Sequence, residues 1–380
     1  MELLYSDDER TLVEAVREYV QRDVAPRAAE RDELSCFPEE ELQRAAGLGL
    51  MGMPVPERDG GSGFDTAAMA IVYEEISRAS ASVGVILSVH NSLVCNAVSQ
   101  YAREPLRSRL LPRLASGELL GAYCLTEPHA GSDAASIETR AVADGDAFRL
   151  TGRKAFITSG AHAGVYVVFA VTDPAARTAQ RMTAFIVERA TPGIEVAPKE
   201  RKLGLLASEI NGIALDDVVV PESHVLGEVG GGFGVAMGLL TAGRIGIAAQ
   251  AVGIAQAALD ASIVYAKQRE QFGRPIADYQ AIQWKLADMA TEIDAARLLV
   301  RRAALLKDAG RDVTREASQA KLFASELASR AAGHAIQIHG GYGYIRDFGV
   351  ERLYRDAKAT ELYEGTSEVQ RMVIARRLLA

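Results

Sequence analysis

The sequence predicts an α+β multidomain protein. It has an N-terminal α-helical domain over residues 1–120, a middle antiparallel β-domain over 121–228, and a C-terminal α-helical, four-helix-bundle-like domain over 229–380. Three observations predict this order. Apolar residues recur at helical spacing through the first third of the chain. From Gly121 the chain breaks into short segments rich in β-branched and aromatic residues, separated by turn formers. After "GEVGGGFG" the helical period returns in long Ala- and Leu-rich stretches with little room between them, the pattern of a bundle. A chain of 380 residues is also long for one core, so two or three domains are expected.

The elements follow in order. Ser6 with Glu9 three residues on is a capping box. Leu12, Val13, Val16, Tyr19 and Val20 then repeat at helical spacing. "PEEELQRAAGLGL", "TAAMAIVYEEISRAS" and "PLRSRLLPRLASG" read as further helices, with "MPVPERDGGSGF" as punctuation. "FRLTGRKAFITSG", "VYVVFAVT", "MTAFIVE", "GIEVAPK" and "NGIALDDVVVP" read as strands. Three long helices are predicted from Val235 to Lys267, Tyr279 to Ala309 and Thr314 to Ile338.

Composition narrows the function. Forty-two basic against fifty acidic side chains give −8, which offers no field for nucleic acid. Cys36, Cys95 and Cys124 are far apart, which suits a reducing compartment and neither a disulfide framework nor a thiolate metal site. "MELLYSDDER" is acidic where a signal peptide is basic, and no apolar run approaches the ~20 residues of a membrane helix. These features predict a soluble, cytoplasmic protein with no membrane or nucleic-acid partner. His334 and His339 are five apart and do not share a helix face, so no metal is expected.

"YCLTEPHAGSDAAS", Tyr123 to Ser136, starts where the strands start, and its Thr, Gly and Ser residues could form a nest for phosphate. "VGGGFGVAMG" lacks a surrounding βαβ unit and reads as the opening of a long helix rather than a Rossmann turn. In "LYEGTSEVQR", Leu362 to Arg371, Glu364 alone reads as a turn residue whose charge favours the next helix N-terminus.

Taken together, the motifs carry more. "TEPHAGSD", "GRKAFITSG", "GRIGIAAQAVGIAQAALD", "REQFGRPIADYQ", "QIHGGYGY" and "LYEGTSEVQR" stand in the order and spacing of the acyl-CoA dehydrogenases, FAD enzymes that this chain resembles over essentially its whole length. The resemblance implies the acyl-CoA dehydrogenase fold and assigns roles. Tyr123, Cys124, Leu125, Thr126, Glu127, Pro128, His129, Ala130, Gly131 and Ser132 line the flavin, as do Phe156, Ile157, Thr158 and Ser159. Arg269, Gln280, Gln337, Ile338, His339, Gly340 and Gly341 reach the FAD of a neighbouring subunit, and Thr366, Ser367 and Glu368 complete the FAD contacts. Ser132, Thr241, Ala242, Gly243, Arg244 and Gly365 fall at the acyl-CoA site.

Glu364 falls at the family's base. The implied reaction takes a saturated acyl-CoA to the trans-2-enoyl-CoA. A carboxylate removes the alpha proton and flavin N5 accepts hydride from the opposite face, with the Glu364 N–H and a flavin ribityl hydroxyl on the thioester oxygen. A solvated Glu, near pKa ~4.3, is too weak a base, so burial must raise it. Some members place the base on the long third-domain helix, before an Arg; that residue here is Gly243, which leaves Glu364. The resemblance also implies an electron-transfer flavoprotein as acceptor and a homo-oligomer, a tetramer. "SVHNSLV" is most similar to short-chain or short-branched-chain members.

The chain departs from the pattern at three places. Phe156 stands where many relatives have Trp, and Thr241 where relatives often have an acid. Gly84 replaces an Arg of glutaryl-CoA-decarboxylating relatives, which disfavours a dicarboxylic substrate. Two alternatives share the fold: an oxygen-using flavoenzyme (acyl-CoA oxidase or monooxygenase-like) and a non-catalytic scaffold.

Overall fold

The computed structural model describes residues 5–380. The capping box forms: Ser6 Oγ accepts from the Glu9 N–H and Glu9 reaches back to the Ser6 N–H at 2.8 Å. Helix α1 (Asp7–Tyr19) continues through a π turn into α2 (Ala28–Glu33) and α3 (Glu39–Gly47). Helix α4 (Thr66–Ala79) is followed by α5 (Ala81–Ser88), a π segment (Val89–Cys95) and α6 (Asn96–Tyr101), which run as one helical rod. Helix α7 (Leu106–Ala115) is the last before the sheet.

Eight strands follow: β1 (Gly121–Cys124), β2 (Arg140–Asp144), β3 (Ala147–Thr158), β4 (Val165–Val171), β5 (Met182–Glu188), β6 (Ile194–Lys199), β7 (Ile210–Pro221) and β8 (Val225–Leu226). Their order is β6-β7-β3-β2-β4-β5-β8, with β1 also on β4. The sheet is mostly antiparallel, but β4 runs parallel to β1 and meets β2 in parallel. The expected antiparallel β-domain thus carries two parallel pairings, and the reason is burial. Every residue of β4 is buried, because Val165, Val167 and Phe169 face the helical core while Tyr166, Val168 and Ala170 face a second core within the β-domain. Parallel pairing suits strands covered on both faces.

The C-terminal part begins with α8 (Gly232–Gln268), which opens on the Gly-rich stretch as predicted. A two-stranded ribbon, β9 (Glu270–Gln271) with β10 (Arg274–Pro275), leads to α9 (Gln280–Asp308), α10 (Thr314–His339), α11 (Val350–Thr360) and α12 (Ser367–Leu379). Helix α8 packs along α10 and α4. The small residues Ala251, Ala255, Ala317, Ala320 and Ala324 are buried and let the backbones approach closely.

Two helical stretches are long and apolar enough to cross a membrane, Ala81–Tyr101 and Gly232–Gln268. The first is wholly buried and the second largely so, which marks both as core helices.

Candidate active site

The residues 361–366 join α11 to α12 and carry two consecutive left-handed positions, Glu364 (φ +53°) and Gly365 (φ +96°). A glutamate there is strained and persists only where its surroundings hold it. Gln370 Nε2 donates to the Glu364 carbonyl (3.3 Å) and the Gly365 carbonyl (2.9 Å), and Lys321 Nζ donates to the Gly365 carbonyl (2.8 Å). Tyr363 donates its hydroxyl to Gln250, which in turn holds the Ala81 carbonyl at 2.7 Å. Thr366 caps α12 by accepting from the Val369 N–H.

The strain aims the side chain inward. Both carboxylate oxygens of Glu364 are shut from solvent and have no hydrogen-bond partner among the described residues. Burial raises this carboxyl to about 7, against the opposing pull of Lys321 and Arg244. Gly243 makes the room: a Cβ there would run into Glu364 Oε2 and lie 2.9 Å from its Cδ. Beside it Arg244 is 5% exposed, its Nε without a partner, and burial lowers its pKa. Tyr123 Oη is likewise buried and unpartnered, and its pKa is raised by burial and then by the Glu364 charge. Natural folds leave few buried polar atoms orphaned. A cluster of them, on α8, β1 and the 361–366 link, fits a polar ligand between these elements.

The flavin-lining residues expected on β1 and β3 divide by role. Cys124, Leu125, Ala130 and Ile157 bury their side chains in the cores, so only their backbone is open to a ligand. The same holds for Glu127. Its carboxylate pairs with buried Lys154 at 2.7 Å and accepts the N–H groups of Glu138 (2.7 Å) and Thr139 (3.0 Å), so it anchors the loop. Pro128, His129, Gly131 and Ser132 form the exposed rim. The Ala155 N–H donates to the Thr126 carbonyl at 2.9 Å, which brings that loop against the end of β3. There the β3–β7 register slips between Lys154 and Ile157, and Phe156 is thrown outward at φ +58°, 64% exposed. An exposed aromatic in a strained conformation is costly unless something stacks on it. Thr158 is half-buried, and Ser159 (φ +59°) is buried with an unpartnered Oγ.

A second set lies at the far end of α8. A cavity of about 400 Å³ is lined by Tyr265, Arg269, Ile338, His339, Gly340 and Gly341 among others. Arg269 sits over the Tyr342 ring (5.4 Å) and makes no ion pair among the described residues, so its fork is open to an anion. His339 stacks on Tyr265 at 4.1 Å. Gln337 is exposed beside this cavity, and Gln280 is exposed at the start of α9, outside its lining. The donors, the free aromatic face and the orphaned hydroxyls fit a flavin dinucleotide.

At the substrate positions, Thr241 spends its hydroxyl on the Met237 carbonyl of its own helix (2.9 Å). Ala242 lines a cavity of about 190 Å³ with Met69, Tyr73, Ile245 and Gly246. Gly84 is a packing residue, since a Cβ would strike Ser77 Oγ on α4. Ser367 is buried and Glu368 exposed on the first turn of α12. Sequence reasoning missed Lys321, Gln250 and Gln370. Lys321 carried a signal: it stands on the α10 face of Ala317, Ala320 and Ala324, a core register where a charge is out of place.

Fold and site together define a three-domain FAD-dependent oxidoreductase. Residues 6–118, 122–218 and 230–379 match the N-terminal, middle and C-terminal domains of acyl-CoA dehydrogenase, and the chain belongs to the acyl-CoA dehydrogenase family. It is 50% identical to an acyl-CoA dehydrogenase of Bacillus subtilis over 96% of each chain. It is 46% identical to the mitochondrial short-chain specific acyl-CoA dehydrogenase of Homo sapiens, over 97% of this chain and 89% of that one. Butyryl-CoA dehydrogenase from Megasphaera elsdenii superimposes with a TM-score of 0.96 at 41% identity over 99% of each chain. A chain in a structure describing the electron transferring flavoprotein of Acidaminococcus fermentans gives 0.97 at 40% identity over 100% of each. The protein is an enzyme of FAD-dependent acyl-CoA dehydrogenation.

Proposed function

We propose that Glu364 is the base of this dehydrogenation and that the substrate carries a short acyl chain. We further propose that electrons leave to an electron-transfer flavoprotein, and that the enzyme works as a cytoplasmic homotetramer. One observation carries the first and central claim: a buried carboxylate with no partner, held near neutrality and faced by a glycine. A base poised near the operating pH combines ionisation with proton affinity. The Glu364 N–H makes no hydrogen bond among the described residues, which leaves it free to hold the thioester oxygen as charge develops there. Tyr123, Thr126, Phe156 and Ser159 would hold the isoalloxazine end of FAD, and Arg269 with the Gln337–Gly341 turn the dinucleotide end. Bound FAD supplies the hydride acceptor.

The cavity of about 190 Å³ at Ala242 and Gly246 is smaller than the roughly 300–1,000 Å³ of whole-ligand pockets, and its apolar side, formed by Met69, Ala70, Ala242 and Ile245, suits the tail of a short acyl group, with Asp65, Lys307 and Asp308 on its other side. The butyryl-CoA and short-chain relatives support that size. The acceptor rests on the flavoprotein neighbour, and the cytoplasmic setting on three free cysteines that suit a reducing compartment.

The test is anaerobic bleaching of the flavin by acyl-CoAs from four to sixteen carbons, in the wild type and in Glu364→Gln. The variant should keep its flavin and lose reduction by orders of magnitude, and four-carbon substrates should bleach the wild type fastest. Comparable reduction in the variant would remove Glu364 as base. Rapid peroxide formation in air-saturated buffer would replace the flavoprotein acceptor with oxygen.

A further inference from the structure

Lys321 lies in the middle of α10, fully buried among Ala317, Ala320 and Ala324. Among the described residues its ammonium makes one hydrogen bond, to the Gly365 carbonyl at 2.8 Å, and no ion pair. A buried cation with so few partners is expensive, and an apolar side chain of similar volume would serve the core better. Its retention calls for a use.

The charged groups that face it decide what that use is. They are Glu364 and Glu361 from the 361–366 link, Arg244 from α8 and Glu368 from α12. Glu361 is already engaged by Lys358 at 2.7 Å and by Ser329, and Glu368 is exposed on the first turn of α12. Glu364 is the carboxylate left without a partner of its own. Among the described residues Arg244 is the other cation acting on it, and the tyrosines Tyr73, Tyr123 and Tyr363 surround it as neutral groups that burial keeps protonated.

We propose that Lys321 is a positioning residue of the reaction. From the core of α10 its ammonium clamps the Gly365 carbonyl, and with it the strained Glu364–Gly365 pair, and it supplies the positive charge that keeps the Glu364 carboxylate ionised without touching the substrate. This rests on Glu364 being the base. The absence of a direct ion pair is part of the arrangement: a contact pair would lock the carboxylate onto lysine and take away its basicity, whereas a charge set back from it biases ionisation and leaves both oxygens free for the substrate proton. Burial pushes the lysine itself down to about 8, so it remains charged where the base titrates.

The experiment is the pH dependence of flavin reduction by butyryl-CoA in FAD-loaded wild type, Lys321→Met, Lys321→Arg and Glu364→Gln. In Lys321→Met the midpoint should move up by about one pH unit, the lower end of the effect of a nearby opposite charge, so the rate near pH 7 falls and recovers at higher pH. Lys321→Arg, which keeps the cation, should keep the wild-type midpoint even if its altered clamp slows the reaction. A rate loss in Lys321→Met that is equal at every pH, or a midpoint that stays put, would reduce Lys321 to a structural clamp and overturn the proposal. If Lys321→Met does not yield flavin-loaded protein, Lys321→Gln takes its place: the same upward shift supports the proposal and an unmoved midpoint overturns it. Undiminished reduction in Glu364→Gln would instead remove the base itself, an outcome separable from any result at Lys321.

Discussion

Glu364 has a stability consequence besides its catalytic one. Its folded pKa, about 7, lies above its ordinary 4.5, so between these values the folded chain holds a proton that the unfolded chain has released. The stability this carboxyl contributes is complete below about pH 4.5 and is lost as pH rises through 7, by roughly 3 kcal/mol at 1.36 kcal/mol per unit. Glu364→Gln has no such loss. Its melting temperature should match the wild type near pH 4.5, exceed it increasingly up to pH 7 and keep a constant lead above that. A parallel pair of curves across this range would mean the carboxyl is not buried in its ionisable form. The proposed role of Glu364 as base came from the company of its motif. The left-handed backbone, Gly243 opposite and Lys321 behind were not, because each depends on elements that meet only in the fold.

At the scale of elements, the long helices were legible from their long Ala- and Leu-rich runs free of proline, and the Gly-rich opening of α8 falls where it was read. The rod from Ala81 to Tyr101 was not read as an element of its own. It is apolar all round, so it has no face for periodicity to reveal, and the π segment adds a residue to the turn. Its burial is what positions β1. His90, in that π segment, uses Nε2 on the Leu114 carbonyl (3.1 Å) and Nδ1 on the Gly121 N–H (3.1 Å), tying the rod to both α7 and the first strand. Nδ1 can accept only if it is unprotonated, so the neutral imidazole is built in, and burial depresses this histidine from 6.5 to about 4. A depressed histidine makes the unfolded state the better proton binder in that window, so stability falls as pH drops from 6.5 toward 4, by up to about 1.4 kcal/mol per unit. His90→Gln should be less stable than wild type at pH 7.5 and should lose less as pH falls, measured by denaturant unfolding. An equal acid slope in both would exclude His90 as the source.

The whole molecule is joined at places no local pattern announces. Arg355 on α11 pairs with Asp32 of α2 and Glu351 at 2.6 Å each and reaches the Leu203 carbonyl at 3.4 Å, so all three parts of the chain meet on one guanidinium. The separation of the two groups of site residues is of the same scale. Arg244, beside Glu364, belongs to α8, and Arg269 directly follows its last residue, twenty-five positions on, which at about 1.5 Å per residue places them roughly 38 Å from each other. A single dinucleotide stretched along one chain does not span that, whereas a second copy could bring its Arg269 cavity to the flavin held by the first. Mixed oligomers test this. A Glu364→Gln chain has no base but an intact Arg269, and an Arg269→Ala chain has the reverse. Each variant alone, dialysed and assayed without added FAD, should turn over poorly. Co-expressed, they should show activity that neither has alone, because a site with Glu364 from one chain and Arg269 from the other is complete. Mixed oligomers as inactive as their parents would put both groups of residues to work within one chain, and the distance along α8 would then need another explanation.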